Sequence, residues 1–137
     1  MSLDLYAFVN SLPSRANWQS AIDRAGIDLK LDPDLDLATD RGFSPCEIRG
    51  KASGFEITVE KSSRALEIYP SLTAVVGPRS NVICFRWGGD LAECACVMGA
   101  SLALLRAFGA MAYYAAEDIV YDEATLEQDL RRCLAEI

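Results

Sequence analysis

The segment from Leu91 to Phe108 is apolar on nearly all sides, and it constrains the fold more than any other feature of the sequence. Asp90 precedes it and Gly109 follows it, and these are typical residues at the two ends of a helix. A helix that is apolar all round is buried on more than one side. Its uncharged run from Cys94 to Leu105 is twelve residues long, whereas a membrane span needs about 20. The segment therefore predicts a core helix over about 90–108.

Helix signals also lie towards both ends of the chain. Residues 3–12 show mixed helical spacing, which Pro13 would end. A second helix is predicted to begin after Ser14 as its N-cap and to end at Gly26. Near the other end, an amphipathic helix is predicted to begin at residue 122 or 123. The sequence thus predicts helices on both flanks of a central region.

Strand patterns fill the region between these helices. They are alternating or β-branched segments, and they cover residues 27–31, 46–49, 55–60, 66–69, 81–87 and 111–115. Residues 50–54 are predicted to be a hairpin loop, and the pattern of residues 72–76 fits a strand and a helix equally. A run of strands with helices at its ends is typical of the α+β class. We expect a single α+β domain over residues 1–137, with a mostly antiparallel sheet packed against the long helix.

The charge of the chain restricts its partners. The formal net charge is −7 at pH 7, which disfavours binding to nucleic acid and to anionic membranes. Acidic residues concentrate in segments 28–40 and 117–137. Such runs are commonly solvated faces, but they can also steer a basic protein by long-range attraction. We expect a basic protein as the partner, with no nucleic acid and no membrane involved.

The cysteines and the absence of histidine bear on cofactors and on location. Five cysteines are an odd number, and they lie in apolar segments, which predicts buried, reduced thiols. Cys94 and Cys96 lie about 200° apart around a helix and cannot jointly hold a metal. The first residues contain no basic leader and no cleavable apolar run. We expect no metal, no cofactor and a cytoplasmic location.

Asp90 and Glu93 allow a structural and a catalytic interpretation. Their spacing matches a capping box, in which both side chains bind the free N–H groups at a helix start. The alternative is a small enzyme or ligand-binding domain with a pocket near Arg86, Trp87 and Glu93. The chain offers only three lysines and no histidine as bases for a nucleophile. The sequence therefore favours a binding protein over an enzyme, without catalytic residues.

The predicted contact surface lies in the second acidic segment. Carboxylates beside tyrosine have the composition of an interface hot spot. The candidate partner-binding residues are Glu117, Asp118, Tyr121, Asp122 and Glu123, with Tyr121 as the aromatic anchor and the carboxylates as steering charges. If another surface makes the contact, the acidic segment 28–40 is the next candidate.

One part of the chain resembles a known group of proteins. The residues concerned are the strand Val82–Asp90 with its sequence VICFRWGGD, the helix start Leu91-Ala92-Glu93 and the segment Ile119–Asp122. Over residues 81–123, this combination is similar to small bacterial immunity proteins, the cytosolic antidotes to secreted polymorphic toxins. The resemblance implies a non-catalytic protein that binds one toxin and blocks its active site. A structural subunit remains a third functional class.

Overall fold

Seven antiparallel strands form one sheet in the computed structural model, which describes residues 2–137. In chain order they are β1 (Leu3–Val9), β2 (Leu29–Leu31), β3 (Gly42–Ile48), β4 (Lys51–Lys61), β5 (Asn81–Trp87), β6 (Met111–Tyr114) and β7 (Ile119–Tyr121). Across the sheet the order is β2-β3-β4-β5-β1-β6-β7. The first strand of the chain therefore lies between β5 and β6, inside the sheet. The α+β class and the antiparallel sheet are as the sequence predicts.

Three helices cover one face of the sheet, which we call the inner face. They are α1 (Arg15–Arg24), α4 (Leu91–Phe108) and α5 (Glu123–Ala135). The middle of α4 is buried, and the indole N–H of Trp18 in α1 donates to the carbonyl of Ala100 in α4 at 3.0 Å. By length and composition alone α4 could cross a membrane, but 61% of it is buried against the protein's own residues. The predicted core helix is confirmed, and Gly109 ends it with a left-handed φ of 63°.

A smaller layer covers part of the opposite, outer face. It consists of α2 (Ser62–Ile68), a 3₁₀ turn (Pro70–Leu72) and the short helix α3 (Thr73–Val76). These elements bury a second apolar cluster on the sheet, which contains Phe8, Val82, Met111 and Tyr113. The rest of the outer face has no helix over it, so the sheet is fully covered on one side and half covered on the other.

Two predicted elements are wrong. The segment 3–12 contains the strand β1 over residues 3–9 and no helix, because Leu5 faces the inner layer while Phe8 is buried under the outer one. A strand buried on both faces shows no alternation of apolar and polar residues. Residues 66–69 were predicted as a strand, but they belong largely to α2, where Ala65 packs into the outer cluster. A short helix of this kind is stabilised by packing rather than by its own pattern.

The hairpin between β3 and β4 is tighter than predicted. Arg49 and Gly50 form the turn, with φ values of 52° and 75°, and positive φ at both positions is what a two-residue hairpin turn requires. Residues 51–54, expected to be a loop, are therefore part of β4. The strand β7 was not predicted, because three residues are too few for a periodic signal.

One edge of the sheet is closed by a side chain. The buried amide of Gln19 in α1 accepts from the N–H of Leu31 at 2.7 Å and donates to the carbonyl of Leu29 at 2.8 Å. These are edge groups of β2, which ends the sheet on that side. A neighbouring strand would bind the same two groups, so Gln19 takes the place of an additional strand.

Candidate partner-binding surface

The uncovered half of the outer face forms a shallow groove across β4, β5 and β1. Sheet register places Glu56, Arg86 and Asp4 side by side across these three strands, with Thr58, Cys84 and Tyr6 as the next row. Ala65 and Ile68 of α2 border the groove, whose volume is about 260 Å³. We call this surface the open sheet face, and it comprises Asp4, Tyr6, Phe43, Glu56, Thr58, Glu60, Ile68, Cys84 and Arg86.

Two large apolar side chains stand out from this surface. Phe43 is 62% exposed and Ile68 is 67% exposed, the highest exposures among the large apolar residues described. Phe43 lies opposite Glu56 in the register, and its ring covers Gly54, where a Cβ atom would meet the ring at 2.4 Å. The glycine thus makes room for the ring to lie flat on the sheet. Ile68 lies at the end of α2 and lines the groove.

The charges of the groove are mostly acidic. The Nε of Arg86 lies 2.8 Å from a carboxylate oxygen of Asp4. This bond raises the pKa of Arg86 above its usual value, with the charge of Glu56 as a smaller cause. Glu56 and Glu60 form no ion pair within the part of the chain described. The open sheet face therefore presents two carboxylates that remain available to a cationic group.

The thiol and the phenol of the groove stay protonated at neutral pH. Burial, followed by the charge of Glu60, raises the pKa of Cys84 to about 11, so the thiol stays protonated. Burial and the neighbouring Tyr69 raise the pKa of Tyr6 above its usual range. Neither group is ionised enough to act as a nucleophile or a base.

The structure separates the four predicted steering carboxylates into different roles. Asp118 accepts from the hydroxyl of Tyr113 at 2.7 Å, which raises the pKa of that tyrosine to about 12. Asp122 is the N-cap of α5, and Glu123 lies 3.5 Å from Arg106. Glu117 is exposed in a 3₁₀ turn (Ala115–Glu117) that contacts β1. Glu117 and Asp118 therefore lie beside the open sheet face, whereas Asp122 and Glu123 lie at the start of α5.

Tyr121 does not have the exposure that an anchor needs. Its side chain is only 5% exposed, and its hydroxyl donates to Asp129 in α5. Its ring also stacks on Tyr114, with ring centroids 6.2 Å apart. The ring is part of the protein's own core and is not free to enter a partner.

The residues of the predicted pocket do not converge. Arg86 and Trp87 are consecutive in β5, so Arg86 points to the outer face while Trp87 is buried on the inner face. Asp90 is the N-cap of α4, as predicted, and accepts from the N–H of Ala92 at 3.4 Å. Glu93 accepts from the N–H of Gly88 at 3.2 Å, two residues before Asp90, whose N–H is the donor that a capping box would use. Glu93 therefore ties the strand end to the helix start.

In the acidic segment 28–40, aspartate side chains accept hydrogen bonds from backbone N–H groups of the same segment. Asp32 accepts from the N–H of Asp34 at 3.0 Å, and Asp36 accepts from the N–H of Ala38 at 3.0 Å. Asp40 accepts from the N–H of Asp36 at 2.8 Å. These bonds are turn-forming contacts, which explains why aspartate is frequent here.

Sequence reasoning missed Phe43, Ile68, Asp4 and Glu56 as surface candidates. Phe43 lies outside every strand that the sequence predicts, and Ile68 lies in the segment 66–69, which it predicts to be a strand. The available signal was the run from Phe55 to Glu60, whose alternation places Glu56, Thr58 and Glu60 together on one face. Comparison of the chain with protein-family models, with curated proteins and with solved structures found no match.

Proposed function

We propose that this protein is a non-catalytic binding protein whose open sheet face receives a basic protein. The observation that carries the proposal is the presence of two exposed apolar side chains, Phe43 and Ile68, on the same face of the sheet as the carboxylates of Glu56 and Glu60. An apolar contact surrounded by charge is the usual composition of a protein interface, in which a few large side chains contribute most of the affinity.

The apolar part of the surface supports a protein partner rather than a small molecule. Ile68 borders the groove and Phe43 lies opposite the groove residue Glu56 in the sheet, and both side chains are largely exposed, so they do not line an enclosed pocket. Small-molecule sites enclose most of their ligand, whereas protein interfaces are broad. A partner loop or helix that lies in the groove would cover both side chains at once.

The charges support a basic partner. The whole chain carries a net charge of −7, and the acidic turn that holds Glu117 and Asp118 contacts β1 beside the groove. Attraction between such a surface and a cationic protein raises the association rate, and salt screens it over about 8–10 Å. The predicted steering role of Glu117 and Asp118 is kept in the proposal, with Phe43 replacing Tyr121 as the anchor.

An immunity protein belongs to this functional class. Such a protein would act in the cytoplasm and block a cognate basic toxin by covering its active site. The protonated state of Cys84 and the internal bonds of Asp90 and Glu93 support the non-catalytic part of the proposal. The sequence resemblance over residues 81–123 supports the toxin as the partner.

The test is affinity capture from the native host with three immobilised forms of the protein. These are the wild type, the double variant Phe43→Ala/Ile68→Ala, and the control Val75→Ala, which removes a 48% exposed side chain on α3. We expect the wild type and the control to retain the same basic protein. We expect the double variant to bind it at least 30-fold more weakly, since hot-spot truncation costs about 2 kcal/mol or more.

Charge variants separate steering from contact. Replacing Glu56, Glu60, Glu117 and Asp118 by their amides should slow association with the captured partner and flatten its salt dependence. The variants must keep the wild-type circular dichroism spectrum and melting temperature. Equal binding by the wild type and the Phe43/Ile68 variant would place the contact surface elsewhere. Turnover of a small molecule that requires Glu93 would contradict a non-catalytic role.

A further inference from the structure

Four of the five cysteines lie in two close pairs on opposite sides of α4. Cys96 faces Cys46 of β3, with 2.8 Å between their Sγ atoms. Two residues earlier, Cys94 faces Cys133 of α5, with 3.0 Å between the Sγ atoms. All four are free thiols. The fifth, Cys84, lies on the outer face of β5, away from both pairs.

The geometry of both pairs is close to that of a disulfide. A disulfide bond is about 2.05 Å long, so the sulfur atoms of each pair would approach by about 1 Å or less to form it. Each pair also connects two different elements, and α4 takes part in both. Two such contacts on one helix place the helix between two potential covalent links.

We propose that Cys94–Cys133 and Cys46–Cys96 are oxidation sites that form two disulfide bonds when the protein meets a low-molecular-weight disulfide such as oxidised glutathione. Oxidation then links α4 to α5 on one side and to the sheet on the other. The inference concerns the scaffold and does not depend on the proposed partner or on the open sheet face.

The reaction at each pair is two successive thiol–disulfide exchanges. The thiolate of one cysteine of the pair attacks one sulfur of oxidised glutathione, which forms a mixed disulfide and releases one glutathione thiolate that takes up a proton. The other cysteine of the pair then loses its proton and attacks the sulfur of the first cysteine, and the second glutathione leaves as a thiolate and is protonated. In sum, two protein thiols lose two electrons and two protons, and one glutathione disulfide becomes two glutathione thiols.

Exposure sets the order in which the two pairs react. In the pair Cys94–Cys133, the Sγ of Cys133, which is 7% exposed, donates to the Sγ of Cys94. Cys94 is half-buried, so this pair is within reach of solvent. Cys46 and Cys96 are 6% and 0% exposed, so that pair reacts only during local opening of the structure. We expect Cys94–Cys133 to form first.

The test is to incubate the folded wild-type protein with oxidised glutathione and to follow its mass and its thiol count in denaturant. We expect the mass to fall by four hydrogen atoms and the number of titratable thiols to fall from five to one. Peptide mapping should find Cys94 joined to Cys133 and Cys46 joined to Cys96. The melting temperature should rise by about 10 °C, because the bonds close chain loops that span 39 and 50 residues, and dithiothreitol should reverse the rise.

Two variants identify the residues. Cys84→Ser should go from four thiols to none, with the same rise in melting temperature. Cys133→Ser should retain two thiols, those of Cys84 and Cys94, and should show a smaller rise. Five remaining thiols in the wild type, a stable glutathione adduct on Cys133, or a bond that includes Cys84 would each overturn the proposal.

Discussion

At the scale of single residues, several carboxylates and one tyrosine hold the protein's own elements together. Asp90 and Asp122 cap α4 and α5, and Glu93 connects the end of β5 to the start of α4. The hydroxyl of Tyr121 binds Asp129. A carboxylate that accepts backbone N–H bonds stabilises the folded state only while it is ionised. These contacts make the stability sensitive both to pH and to truncation of the tyrosine.

Asp122 should make the stability of the protein depend on pH. Bonds from the backbone and the side chain of Thr125 lower the pKa of Asp122. Its stabilising contribution is therefore present above the unfolded-state pKa of about 3.9 and is lost as the pH falls through the folded-state value. We expect urea unfolding of the wild type to weaken more between pH 5 and pH 2 than that of Asp122→Asn, which keeps a capping side chain but does not titrate. Parallel pH profiles would contradict this role.

Tyr121 should contribute mainly to the stability of the folded protein, rather than to the binding of a partner. Tyr121→Ala removes a buried ring, and large aromatic truncations in a core cost about 3–5 kcal/mol. Val120→Ala is the control, because Val120 lies next in β7 and is 42% exposed. Equilibrium denaturation should show a large loss for Tyr121→Ala and less than about 0.5 kcal/mol for the control. An unchanged stability of the tyrosine variant would restore the interpretation of Tyr121 as a partner anchor.

At the scale of elements, α4 connects the inner layer. It packs against α1 and α5 and against the sheet, and its middle residues are buried. Gly99 permits the close approach of Ile27 and of Leu29 in β2, since a Cβ atom at position 99 would lie 3.1 Å from the side chain of Ile27 and 3.6 Å from that of Leu29. The sequence alone predicted this helix, because a long apolar run with Asp90 and Gly109 at its ends is typical of a buried helix.

Two leucines of α4 allow a matched test of burial. Leu102 is 1% exposed in the middle of the helix, whereas Leu91 is 42% exposed in its first turn. Leu102→Ala should lower the free energy of unfolding by about 2–5 kcal/mol, since it leaves a cavity. Leu91→Ala should change it by less than about 0.5 kcal/mol. Chemical denaturation of both variants checks the difference, and similar losses would show that the helix is not the centre of the core.

Elements buried on both faces were not predictable in the same way. The outer layer buries Phe8 and Val82, so the second half of β1 is apolar on both faces, and only packing distinguishes it from a helix. The same limit applies to the candidate surface. That Phe43 lies over Gly54 while Tyr121 turns inward depends on contacts between distant segments, which no local pattern contains. The sequence predicted the fold class, the long helix α4 and the strand at residues 81–87. It did not predict which aromatic side chain is exposed.

At the scale of the whole molecule, the amino-terminal strand connects the two halves of the sheet. β1 pairs with β5 on one side and with β6 on the other, so residues far apart in sequence meet on it. Without β1, the strands β6 and β7 would form an isolated hairpin, and such a hairpin is marginally stable in water. The fold is therefore cooperative across its full length.

Deletion of residues 1–10 should abolish the folded state. We expect the deletion variant to lose the dispersed amide spectrum of a folded domain, whereas a chain that lacks only residues 136–137, which follow α5, keeps it. Addition of a peptide that contains residues 1–10 should restore folding in part, because the peptide can pair with both neighbours. A native-like spectrum without the strand and without the peptide would show that the two sheet halves fold independently.

The two edges of the sheet are not equivalent, and this limits how copies of the protein can polymerise. A fibril grows by strand addition only if every subunit has two open sheet edges, because each subunit must pair with one copy on either side. Gln19 occupies the backbone groups of β2, so β7 is the edge that remains for a second copy. Two copies that pair through β7 would each present a β2 edge that Gln19 already occupies. Association by this route therefore stops at a dimer.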